Sequence, residues 1–219
     1  VEDIEAIAVL QDPVRRRLYD YVVTQDHAVS RNEAAEGAGI QRTLAAFHLD
    51  KLVDAGLLDT ESRRLTGRSG PGAGRPAKLY RRSGAERQFS VPARDYRVAA
   101  DLLAEVAEAA RLDTELQAAA RREGQAARAA AGSVDDLAAA KALLAARGYE
   151  PRPDADGCVL RLANCPFHML SERHPALVCG MNLALLEGLV EGTEGLRARM
   201  DPRPGLCCVV VEISKNNSN

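Results

Sequence analysis

Cys165, His168, Cys179 and Cys207 are the residues best suited to chemistry. Three thiolates and one imidazole suit zinc, and the same set could hold an iron–sulfur cluster. Cys165 and His168 are separated by two residues in a turn fixed by Pro166. Cys179 falls in the first turns of a helix that opens at Pro175, behind a capping position at His174. A helix N-terminus favours the thiolate needed for metal binding or oxidation. In the last strand Cys207 alternates with Val209, Val211 and Ile213, whereas Cys208 alternates with Glu212. Only one of the two can point into the core, and Cys207 is the expected one. Cys158 alternates with Leu160 and Leu162 and reads as a core thiol.

Other readings of these residues remain open. All five cysteines lie in the last third of the chain, and an odd count argues against a disulfide framework. Buried free cysteines also behave as small hydrophobes, and a thiol redox switch needs no metal. Asn164 and Asn182 are candidate polar groups behind the thiols, and Arg161 is either a counter-charge or a solvent-facing cation. An enzyme with Cys165 as nucleophile and His168 as base is disfavoured. A base so close along a turn rarely has the right geometry, and no glycine-rich phosphate loop or serine-centred elbow occurs.

A second group lies upstream. Gln41, Arg42, Thr43 and Ala46 fall at the exposed start of a helix. Arg42 can bond bidentately to guanine, Gln41 to adenine, and Thr43 to a base or phosphate. His48 and Lys51 lie further along, at backbone-contacting positions. Between Glu61 and Arg87 there are eight basic residues against two acids. Of these, Arg63, Arg64, Arg68, Arg75 and Lys78 are expected to supply sequence-independent phosphate or minor-groove contacts. Phe47 and Asp50 fit neither role.

These residues need elements to position them. Asp12-Pro13 reads as a helix start, with Val14, Leu18, Tyr21 and Val22 at helical spacing. Ser30 to Glu33 is a capping box for a short second helix. Gly39 turns the chain into a third helix, about Arg42 to Ala55, with Ala45, Leu49, Leu52 and Val53 inward. Gly56 ends it. Leu57-Leu58 and Lys78-Leu79-Tyr80 read as two strands of a hairpin around the glycine-rich stretch Gly67 to Pro76. Three helices followed by a basic hairpin form a winged helix-turn-helix, which predicts binding to double-stranded DNA.

From about Arg94 to Ala131 the chain is Ala-rich, with Val98, Leu102, Val106, Ala109, Leu112 and Leu116 in one stripe. This predicts one long helix, or two interrupted near Gly124. A narrow stripe on a long helix needs a partner, and a second copy of the chain is the simplest. Ser133 is expected to cap a helix ending at Gly148. A strand (about Cys158 to Leu162), the Cys165 turn, the Pro175 helix and a strand (about Leu206 to Ile213) complete a small α+β domain.

The expected fold is therefore α+β. Residues 1–90 form a winged helix-turn-helix, 91–131 a helical dimerisation region and 132–214 a cysteine-bearing sensor domain. The 219 residues are 46% hydrophobic and 27% charged but only 4% aromatic, without tryptophan, so the core relies on Ala, Leu and Val. No run of about 18 apolar residues occurs, and the acidic start is unlike a secretory signal, so a cytoplasmic, non-membrane protein is expected.

The segment Asp12-Pro13-Val14-Arg15-Arg16, then Gly39-Ile40 and Phe47-His48-Leu49-Asp50-Lys51-Leu52-Val53-Asp54-Ala55-Gly56-Leu57-Leu58, resembles the ArsR-like winged-helix regulators. That resemblance covers roughly residues 10 to 82 and implies a homodimer on an inverted repeat. Cys165-Pro166, Pro175-Ala176-Leu177-Val178-Cys179 and Gly205-Leu206-Cys207 resemble the SufR-type iron–sulfur regulators. That similarity implies a cluster-loaded dimer whose DNA affinity changes when the cluster is lost. The family's further cysteine, four residues ahead of the first, is Arg161 here. A regulator responding to a small organic effector, with structural cysteines, is the alternative.

Overall fold

A computed structural model of the chain describes residues 2–63, 76–87, 90, 92–132 and 134–214. Arg64, Arg68, Arg75 and Ser133 therefore lie outside the described residues. The chain forms two compact units, Val1–Arg94 and Asp95–Asn219, so the helical segment 91–131 falls with the C-terminal unit from Asp95 onward.

The first unit begins with α1 (Glu2–Val9) and α2 (Pro13–Thr24). The Asp12 carboxylate caps α2 by accepting from the Val14 and Arg15 amides at 2.8 and 3.0 Å. A two-residue strand, β1 (Val29–Ser30), leads into α3 (Arg31–Ala38), which carries the full Ser30/Glu33 capping box. Gly39 adopts φ 65°, the left-handed conformation that glycine reaches without a Cβ penalty. Then follow α4 (Arg42–Asp54), β2 (Leu58–Arg63) and β3 (Ala77–Arg82). The antiparallel sheet has the order β1-β3-β2. Leu18, Val22, Ala34, Ala45, Leu49, Leu52 and Tyr80 build one core that locks α4 beneath the hairpin.

The second unit contains α5 (Tyr96–Ala109), α6 (Asp113–Ala131), α7 (Leu137–Ala146), β4 (Pro151–Pro153), β5 (Val159–Leu162), α8 (His168–Arg173), α9 (Pro175–Val190), β6 (Leu196–Met200) and β7 (Val209–Ile213). Its antiparallel sheet has the order β4-β5-β7-β6, with the proline-bearing β4 at an edge, where missing donors cost least. Helix α9 is buried over most of its circumference. It therefore reads as apolar all round rather than amphipathic.

Three local expectations are corrected. The helix break is not at Gly124 but at Arg111, which takes φ 55° between α5 and α6. Gly124 is instead a contact residue. A Cβ there would meet the Leu185 carbonyl oxygen at 2.1 Å, and one on Gly188 would meet that of Arg121 at 2.2 Å. The two glycines let α6 and α9 touch backbone to backbone. Asp136 caps α7, which starts only at Leu137, accepting from the Ala139 amide at 2.7 Å. Finally, Cys158 precedes β5 in a turn and is exposed, its backbone amide donating to Asp154 Oδ1 at 3.0 Å.

Candidate functional site

The N-terminus of α4 projects its polar residues as its periodicity dictates. Ala45, Leu49 and Leu52 fix the inward face, so Gln41, Arg42 and Thr43 are exposed and Ala46 half-buried. Gln41 occupies the cap position without a side-chain cap bond. Its amide is thus not committed to its own helix. Phe47 is 56% exposed on the same face. His48 is turned inward and buried. His48 is thus a core-side group rather than the backbone contact expected. Lys51 is exposed.

Asp50 proves to be the clamp between helix and hairpin. It accepts from Lys78 Nζ at 2.7 Å and from the Tyr80 hydroxyl at 3.0 Å, and Arg31 Nη2 lies 3.8 Å away. Arg31 Nε in turn donates to the Tyr80 oxygen at 2.9 Å. Burial pushes the Asp50 carboxyl up, but the hydrogen bonds from Lys78 and Tyr80 outweigh it and hold it below the ordinary value. The same bond to Asp50 raises Lys78. Lys78, expected as a phosphate contact, is therefore committed to Asp50. Arg63 is more open, with its Nε 4.0 Å from Glu61.

Together these elements enclose a polar cleft of about 630 Å³ lined in part by Arg31, Asn32, Arg42, Thr60, Ser62 and Lys78. Two helix N-termini and two strands meet there, bringing donors and positive partial charge to one concave surface. Arg31, Asn32, Thr60 and Ser62 were not foreseen. Their sequence signal, a polar alternation along β2 and a polar start to α3, is too common to single out.

The thiols form the second site. Cys165 lies between β5 and α8, Cys179 in the second turn of α9, and Cys207 and Cys208 just ahead of β7. The Cys207 amide donates to the Leu162 carbonyl at 2.9 Å, and the Cys208 carbonyl accepts from the Asp201 amide at 2.8 Å. These bonds tie the segment to neighbouring backbone. Cys165, Cys207 and Cys208 pack on one apolar cluster. Asn182 Nδ2 donates to the Cys207 sulfur at 3.2 Å, and the Tyr149 hydroxyl donates to Asn182 Oδ1 at 2.5 Å. Donors from Cys165, Cys208 and Asn182 depress the Cys207 thiol well below its ordinary value, whereas Cys165 and Cys208 are raised.

His168 is not part of this group. It opens α8 with its ring 58% exposed, and Nε2 lies 3.4 Å from Glu172 one turn on. Arg161 is neither counter-charge nor free cation, because its guanidinium bonds Asp201 Oδ2 at 2.8 Å. His174 holds the cap position of α9, yet its Nδ1 bonds Glu108 at 2.8 Å rather than capping. Among the described residues, no three His, Cys, Asp or Glu groups stand in metal-holding geometry.

The family model described as a helix-turn-helix domain matches residues 10–61. Residues 10–61 form a helix-turn-helix domain. The match supports a DNA-binding transcription regulator of the winged kind, and the hairpin completed by β2 and β3 stands where a wing belongs. No curated protein and no solved structure matches the chain. No helix among the described residues is long and apolar enough to cross a membrane.

Proposed function

We propose that the chain is a homodimeric transcription regulator that binds an inverted repeat and senses a metal or iron–sulfur centre through Cys165, Cys179 and Cys207. One observation carries the sensing half: Cys165 and Cys207, from segments far apart in sequence, pack on one apolar cluster, and the buried Tyr149–Asn182 pair aims an amide at the Cys207 sulfur. The donor set is soft and partly desolvated, and N–H groups already aim at sulfur, which fits a thiolate-bound centre. When bound, such a centre would supply a redox- or supply-dependent link between these segments. Asn182 would hold the Cys207 sulfur as a thiolate, and Tyr149 would fix the orientation of the Asn182 amide.

The route outward is physical. The Cys165 turn runs into α8, and the α8–α9 junction grips α5 through Arg173 with Asp101 and His174 with Glu108. Helix α5 leaves Val98, Leu102 and Val106 exposed, an apolar stripe suited to a second copy. Movement of the thiol loop would shift α5 and so the spacing of two recognition helices. Half-sites about one helical turn apart make a shift of a few ångströms decisive. The test is metal and sulfide content plus visible absorption of chain purified under argon, with operator binding measured before and after air exposure. Stoichiometric metal and a change in affinity support the reading. A metal-free chain with constant affinity overturns it.

A further inference from the structure

We infer that Phe47 on α4 reads thymine, seating its ring against the C5-methyl group of that base in the major groove; the inference rests on the DNA-binding reading above. Among the described residues of the N-terminal unit, Phe47 is the most exposed large apolar side chain, at 56%. The chain has only three phenylalanines and no tryptophan, so a ring left in water forfeits burial that is scarce here. Thr43 and Lys51, four residues to either side, are exposed on the same face, and Leu44, three residues before, is exposed beside it. The Phe47 ring meets the buried His48 ring edge-on, with centroids 5.3 Å apart and planes at 71°. That contact supports the ring from the core side and leaves its outer part open.

The frame around this apolar spot suits a duplex better than a protein. Gln41, Arg42 and Thr43 precede it at the start of α4, and Lys51 follows it. Helices α3 and α4 and the Gly39 turn lie within the matched helix-turn-helix domain, and the second helix of that motif is the one that enters the major groove. The nearby Asp50 is occupied by Lys78 and Tyr80, and Asp54 lies about two turns further along the helix. A phenyl ring has no hydrogen-bond donor or acceptor. Against guanine, adenine or cytosine it would cover polar atoms without replacing their bonds to water. Thymine alone presents a methyl group on that edge. Contact with it removes apolar surface of both partners from water. Gln41 and Arg42 recognise hydrogen-bonding edges, so Phe47 adds a preference that they do not supply.

The experiment starts from a duplex that wild type selects out of a random pool. Each thymine of the enriched sequence is replaced in turn by deoxyuridine, which removes the C5-methyl and keeps the pairing edge. Fluorescence anisotropy at one salt concentration gives the affinity of wild type, Phe47→Ala and Phe47→Leu for each duplex. The expected result is one thymine per half-site at which deoxyuridine weakens wild type about fourfold, the effect of one buried methyl-sized group. Phe47→Ala should lose that sensitivity yet keep its affinity for a non-operator duplex, which phosphate contacts supply. Phe47→Leu, still apolar, should keep a smaller preference. Both variants should melt as wild type does, because the ring is exposed. The assignment is overturned if no thymine methyl matters to wild type, or if Phe47→Ala stays as sensitive as wild type. In that outcome sequence-selective binding stands, and the Leu44–Phe47 surface is left to a protein partner. If wild type enriches no sequence and shows no salt-sensitive affinity, the DNA-binding reading falls as well.

Discussion

Asp50→Asn tests whether the polar cleft faces DNA. The substitution removes one negative charge while keeping an oxygen that can accept from Tyr80. Lys78 and Arg31 lie 2.7 and 3.8 Å from the carboxylate, and the three side chains are 36% to 45% exposed. At that exposure solvent screens the pairs, so stability should fall by no more than about 1 kcal/mol. The effect on DNA has the opposite sign. Lys78 becomes free to neutralise a phosphate, and each added phosphate contact steepens the slope of log affinity against log salt by about 0.9. Between ~50 and ~200 mM salt the variant should therefore lose roughly 3.5-fold more affinity than wild type, while binding more tightly at the low end. Fluorescence anisotropy on a labelled non-operator duplex reads both quantities. A slope equal to or shallower than wild type, in a variant that melts normally, would refute the placement of Lys78 and Asp50 beside DNA.

Gly188→Ala should destabilise the C-terminal unit. The new methyl meets the Arg121 carbonyl oxygen at 2.2 Å. Overpacking of about 1–3 kcal/mol exceeds the helix-propensity gain of about 1 kcal/mol, so thermal melting should show a lower Tm. Glu212 supplies a pH test. Burial raises its carboxyl, but Arg199 and Arg197, bonded at 2.7 and 2.8 Å, hold it below the ordinary value. A depressed native pKa stabilises above the unfolded value of about 4.3 and is lost as pH falls through the native one. Denaturant titrations should show wild type more stable than Glu212→Gln at neutral pH, with the gap closing below about pH 4.

Local signals were readable where a single residue and its near neighbours decide the outcome. The Asp12 cap, the Ser30/Glu33 box and the inward face of α4 are of that kind. What escaped depends on partners distant in sequence. A glycine in a helix marks either a break or a close approach, and only Gly188 on α9 shows that Gly124 is the second. Asp50 looked misplaced because the lysine it binds lies 28 residues away. The short or edge strands β1, β4 and β6 carry too few residues, or too mixed a pattern, for periodicity to register. At the thiols, the burial of Cys207 was legible from strand alternation. His168 was singled out by its spacing from Cys165, but the fold turns its exposed ring to Glu172 one turn on.

The affinity of the chain for a duplex selected from a random pool, measured for wild type and Arg42→Ala across a salt series, tests the central claim most directly. Arg42 opens α4 on the exposed face, so its loss should cost about 1–3 kcal/mol on the selected sequence and relax the preference at one base pair in each half-site. Failure to enrich any sequence, with wild type and variant showing equal, salt-insensitive affinity, would contradict it.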